Sequence, residues 1–215
     1  LAFVISGYIV RKSLLLITND RVISALGMWV YLLWPYLLGH AMMNVKDIPF
    51  ELAWLACTYQ CLRVLNIPFA QLRSKQFLIL GILVGWLISI RVSGVLIFIQ
   101  LAVLMLFSFQ TYDVFKVWRS ESRRLMQWGI AFISGALLTL YALYPILWHN
   151  PFELLNAITY MSSHPWQGNT LTAGEFIEPK TRLIYYIYSW LGAKLPLIVL
   201  VGILLVPIAW LKGVK

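Results

Sequence analysis

Residues 77–110 read FLILGILVGWLISIRVSGVLIFIQLAVLMLFSFQ, 34 positions that carry a single charge, Arg91. As one helix at about 1.5 Å per residue the stretch would be about 51 Å long, well beyond the roughly 30 Å of a bilayer's hydrocarbon core. An apolar run of that length has to double back. Arg91-Val-Ser-Gly94 supplies the place, with a charge, a serine and a glycine in its middle. The reading predicts two membrane-crossing helices joined by a tight turn, with Arg91 at its tip.

The rest of the chain repeats the pattern. Of its 215 residues 61% are hydrophobic and 12% charged, and the mean hydropathy is +0.81; soluble domains are roughly 45–50% apolar. Apolar runs lie near 1–10, 22–39, 50–62, 77–90, 93–110, 127–148 and 195–211. They predict an all-α, polytopic transmembrane bundle of about seven crossings. Several runs fall short of the roughly 20 residues that a perpendicular span needs, so tilt, interfacial ends or burial against neighbours is expected. Leu1 sits inside an apolar run with no charged region or small-residue cleavage site ahead of it, and the expectation is a fragment whose first crossing is truncated. The closing WLKGVK reads as the end of a span and the start of a loop.

The net charge of +9 would fit a nucleic-acid binder if the basic residues formed one stripe. Instead they sort by loop: Arg11, Lys12 and Arg21; Arg63, Arg73 and Lys75; Lys116, Arg119, Arg123 and Arg124; Lys212 and Lys215. The positive-inside rule makes these loops cytoplasmic. Lys46, Arg91, Lys180, Arg182 and Lys194, balanced by Asp47, Glu51, Glu153, Glu175 and Glu178, are then extracytoplasmic. Aromatics suited to the headgroup region accompany the latter set: Tyr31, Trp34 and Tyr36; Tyr141, Tyr144 and Trp148; Tyr185, Tyr186, Tyr188 and Trp190. No nucleic-acid partner is expected.

Gly81 and Gly85 form a GxxxG step, a signal of close helix packing. Cys57 and Cys61, four apart on one predicted helix, match neither a redox CxxC nor a zinc knuckle and read as small apolar residues. There is no Walker A sequence and no GxGxxG, so no soluble cofactor is expected.

Three extracytoplasmic features can carry chemistry. In GHAMMNVKDIPF, residues 39–50, Asp47 precedes Ile48-Pro49 and either caps the helix that begins there or orients an acceptor or a divalent metal, with His40 and Lys46 close enough to join it. Arg91 has no acidic neighbour in sequence; it either snorkels to the interface or holds an anion, and a guanidinium suits bidentate contact with a phosphate. The segment 149–182 is the third. Asn150, Pro151 and Glu153 predict a helix over about 151–162 lying on the bilayer surface, with Phe152, Leu155, Ile158 and Tyr160 toward lipid and Glu153 and Asn156 toward water. The turn after it holds His164 and Trp166, an imidazole and an indole that either stack on a sugar or anchor the loop in the membrane.

WPYLLGHAMMNVKDIPF, LGILVGWLISIRVSGVLIF, YPILWHNPFELLNAITYMSSHPWQGNTLTAGEFI and YYIYSWLGAKLPL, in that order, resemble the membrane glycosyltransferases of the GT-C superfamily, in particular the protein O-mannosyltransferase-like and aminoarabinose-transferase-like family 39. The likeness covers nearly the whole chain, and GHAMMNVKDIPF and HPWQGNTL are its most specific parts. It implies an inverting transferase, with a bacterial inner membrane as the expected location, that moves a sugar from a polyprenyl-phosphate carrier to a glycan, lipid or protein acceptor on the extracytoplasmic face. On that resemblance Arg91 falls where a basic residue meets the lipid phosphate, Asp47 on a supporting acid, and 149–182 on the loop and surface helix that wall the cavity. The acid usually credited as general base lies in a loop before the helix with which this chain opens, so the chain alone is expected to be inactive. The alternative from a different class is a transporter or lipid-handling subunit whose polar path is lined by Arg91 and Asp47; no internal repeat of the kind that transporters carry is visible.

Overall fold

Among the described residues, helix breaks fall at Asn19, Pro35, Asn44, Arg91 and Pro145. The computed structural model describes residues 1–108, 114–163, 168–172, 174–178 and 185–211, without the side chains of 105–108, 114–120, 185 and 209–211. The described residues are predominantly helical: α1 Ala2–Thr18, α2 Arg21–Leu32, α3 Pro35–Met43, α4 Asp47–Asn66, α5 Ser74–Ile90, α6 Ile97–Ser108, α7 Val114–Leu143, α8 Glu153–Ser162, α9 Tyr185–Lys194 and α10 Leu197–Leu211. They form two compact units, Leu1–Ser163 and His164–Lys215.

The expected break in the long apolar stretch is present. α5 ends at Ile90, Arg91 is extended (φ −149°, ψ 133°), and a 3-10 turn over Val92–Leu96 leads into α6. Side-chain bonds fix the direction of each arm. Gln60 of α4 donates to the Gln76 carbonyl at the start of α5 (3.0 Å), and Arg91 beyond the end of α5 pairs with Asp47 at the start of α4. Gln100 of α6 then donates to Thr58 of α4 (2.8 Å). α5 therefore runs antiparallel to α4, and α6 returns alongside α4.

α7 runs parallel to α5 at close range. Gly81 and Gly85 face the Phe132 and Ala136 carbonyls, and Gly135 faces the Leu78 carbonyl. The GxxxG signal is thus a helix contact, with a third glycine on the partner. At the end of the bundle away from Arg91, Arg124 donates to the carbonyls of Phe69, Ala70 and Leu72 (3.5, 3.3 and 3.3 Å) and lies against the Phe69 and Trp128 rings. Ala53, Cys57, Cys61, Val84, Leu87, Ile97, Leu101 and Leu140 pack between these helices as the core. Both cysteines are free and buried. α1 and α2 form an antiparallel pair, turned by Asn19 in the left-handed region (φ 53°) and capped by Asp20, whose carboxylate accepts from the Val22 and Ile23 N–H groups.

The run at 22–39 holds two helices: Pro35 lacks an N–H and starts a new helix, α3, bent by 56° from α2. Among the described residues one helix, Glu121–Leu143, is long and apolar enough to cross a membrane, or up to three spans if each bent pair counts as one. α5 and the helix after it are apolar but short.

The helix expected over 151–162 is present as α8, Glu153–Ser162. Asn150 prepares it, its Oδ1 accepting from the Phe152 N–H (3.0 Å) while its amide donates to Glu153 (3.1 Å). Phe152, Leu155 and Tyr160 are exposed, and Leu154 packs on the core. Within 149–182 the second unit also contains a feature that turn-type residues alone do not announce, a two-stranded antiparallel hairpin of β1 Thr170–Thr172 and β2 Glu175–Ile177, turning through Gly174 at φ 89°. Trp190 of α9 donates to Thr172 (3.1 Å).

Candidate functional site

His40, Asn44, Asp47 and Arg91 come together around the end of α3, the start of α4 and the residue before the Val92–Leu96 turn. His40 lies in the last turn of α3, half-buried, its ring 4.4 Å from that of Tyr36. Directly after α3 the chain turns through Asn44, which is four residues from His40 and three from Asp47, and its side chain reaches both.

α4 has no side-chain cap at its N-cap, Lys46; the turn ahead of it is closed by Asn44, not by Asp47. Asn44 Oδ1 accepts from the backbone N–H groups of Lys46 (3.1 Å) and Asp47 (2.9 Å). α4 begins at Asp47 itself, two residues before Pro49, so a carboxylate at that position is already inside the first turn and is directed away from the helix's open N–H groups. Asp47 is thereby released for another partner. Its Oδ1 accepts from Arg91, 44 residues away, and its Oδ2 accepts from Asn44 Nδ2 (2.6 Å).

Arg91 was expected to snorkel or to meet an anion, and the structure supplies an anion from its own chain. The side chains of the pair are 42% and 40% exposed, Arg91 first. The guanidinium also lies 5.7 Å from the Phe50 ring, one helical step beyond Pro49. With one nitrogen on Asp47 and a ring to one side, the cation is held in position, and no other protein acceptor for its N–H groups is present among the described residues. α8 packs against the Val92–Leu96 turn that follows Arg91.

Of the other expected residues, Lys46 is exposed at the start of α4 and contributes its backbone N–H to Asn44. His164 and Trp166 lie outside the described residues. Glu51 is not a loop residue balancing charge: it sits one turn beyond Asp47 on α4, half-buried beside Tyr31 of α2 and within electrostatic reach of His40. Asn44, Phe50 and Glu51 are the members that sequence reasoning missed. The available signals were spacings: Asn44 three residues before a helix start, and Glu51 at i+4 from Asp47.

A divalent metal does not fit His40 and Asp47 as placed, because the Asn44 amide N–H2 stands between them and a donor group repels a cation. Among the described residues no three His, Cys, Asp or Glu side chains converge on one point. What the arrangement can do is hold an oxyanion: a half-exposed cation with one nitrogen on Asp47, beside an apolar ring.

No family model matches the chain, and neither a curated protein nor a solved structure is significantly similar to it.

Proposed function

We propose that this polypeptide is a polytopic membrane glycosyltransferase of the GT-C type, and that Arg91 holds the phosphate of a polyprenyl-phosphate sugar while the sugar passes to an acceptor on the extracytoplasmic side. The carrying observation is the Asp47–Arg91 pair with Phe50, a half-exposed cation fixed at the tip of an apolar helical hairpin. The alternating run of α4, α5, α6 and α7 supports several crossings, with bent or short helices accommodated by tilt and by packing on neighbours. It also supports the charge-based orientation: Arg124 and the 69–72 turn lie at one end and Arg91 at the other.

In the reaction an acceptor oxygen attacks the anomeric carbon as the bond to the carrier's phosphate oxygen breaks, and the electron pair leaves with the phosphate. Negative charge grows on that oxygen, so a cation fixed beside it stabilises the transition state more than the ground state. Asp47 cannot readily act as base here, since both its oxygens already accept hydrogen bonds. It is the anchor that keeps Arg91 in place.

The test is sugar transfer from polyprenyl-phosphate donors in membranes carrying the full-length polypeptide, at matched expression. Arg91→Ala is expected to lower transfer about 100- to 1000-fold, the scale for losing one preorganised charge contact, and Asp47→Asn to lower it less because the cation remains. Normal transfer by both variants would remove the site assignment. Absence of transfer by the unaltered protein across a broad donor panel would remove the enzyme class and favour a transport role.

A further inference from the structure

Four hydrogen-bonding atoms meet at the Asn44 side chain. Two are the backbone N–H groups of Lys46 and Asp47, which point at Oδ1. The other two are Asp47 Oδ2, 2.6 Å from Nδ2, and His40 Nδ1, 3.3 Å from Nδ2. Backbone N–H groups can only donate, so turning the amide over would set its N–H2 against two donors and leave its oxygen facing a carboxylate. The amide therefore has one orientation, and Nδ2 is a donor toward His40.

That orientation settles the histidine. A ring nitrogen that accepts a hydrogen bond carries no proton, and in the neutral imidazole the proton must then be on the other nitrogen. We propose that Asn44 is the positioning residue of this site: it holds His40 as the neutral tautomer protonated at Nε2 and, through the same amide group, holds Asp47 in the orientation that grips Arg91. His40 then presents an N–H donor rather than a base, with the Glu51 carboxylate within its electrostatic reach, while Arg91 stays on the Asp47 carboxylate that the same amide holds. That the cation so held meets a lipid phosphate rests on the proposed function; the tautomer does not.

The experiment is nitrogen-15 NMR of the full-length polypeptide in lipid bilayers at pH 8, labelled at histidine, with His40→Gln identifying the His40 signals. The expected result is a protonated Nε2 and a bare Nδ1. Asn44→Asp retains an oxygen for the two backbone N–H groups but turns a second oxygen toward Nδ1, and is expected to move the proton to Nδ1. Asn44→Ala removes both influences and is expected to give a mixture of tautomers. A proton on Nδ1 in the unaltered protein, or the same tautomer in all three proteins, overturns the proposal. In the transfer assay, Asn44→Asp is expected to raise the donor KM about tenfold, the scale of losing an orienting partner, while the acceptor KM stays near its original value. If the unaltered protein transfers no sugar, the phosphate assignment falls and the NMR result alone decides whether Asn44 orients His40.

Discussion

Adding one methyl group to Gly135 tests the contact on which the helical arms depend. A Cβ at that position would stand 2.6 Å from the Leu78 carbonyl oxygen and 3.1 Å from the Ile82 nitrogen, both backbone atoms of α5 that no rotamer change can move. Ordinary contact begins at 3.4 Å, so the two helices must part by about 0.8 Å locally. Forced separation of a packed interface costs about 1–3 kcal/mol, equivalent to a drop in Tm of about 2–12 °C for a chain of this size. Gly129 on the same helix is the control, because a Cβ there meets nothing within 4 Å. Gly129→Ala removes only the backbone freedom of glycine and is expected to stabilise by about 0.5–1 kcal/mol. The assay is thermal unfolding of the purified protein in detergent, read with a fluorogenic thiol dye: Cys57 and Cys61 are free and buried, and react only when the core opens. Shifts of the same sign and size for the two alanine variants would refute the close α5–α7 contact.

Two further outcomes follow from the polar contacts that tie helices together. Arg124→Ala leaves the Phe69, Ala70 and Leu72 carbonyls without their shared donor and is expected to destabilise by about 1–2 kcal/mol, with Arg124→Lys restoring little because an ammonium lacks the planar fork; faster proteolysis within residues 67–73 reads it. Gln100→Leu deprives the Trp54 indole N–H and the Thr58 hydroxyl of their common partner in the α4–α6 contact and is expected to cost about 1–3 kcal/mol, whereas the triple change with Trp54→Phe and Thr58→Val recovers most of it, since no polar group is then left unpaired. Both comparisons use the same thiol-dye unfolding assay.

Much of the helical architecture was legible from local patterns, because the causes are local. A 34-residue apolar run must break, an arginine beside serine and glycine marks the break, and Asn150 with Glu153 announces α8. The same causes show where legibility ends. Pro35 lies within an apolar run that hydropathy averages over, so the bend after α2 is lost in a hydropathy reading. The hairpin at 170–177 consists of two three-residue strands, too short for a periodicity of two to stand out.

The sequence by itself determined a chain that is apolar, helical and basic at one set of loops, and it singled out Asp47, His40 and Arg91 as polar groups that an apolar chain has no cheap way to carry. Composition and spacing suffice for that, since the cost of a charge in an apolar setting does not depend on the partner it finds. Only the tertiary structure decided the partner. Asp47 and Arg91 are 44 residues apart, and they meet because α4 and α5 run antiparallel with Gln60 on the Gln76 carbonyl at the other end. Asp47 anchors a cation while Asn44 takes the backbone N–H groups ahead of α4, a division between two acceptor side chains that neither residue's type reveals.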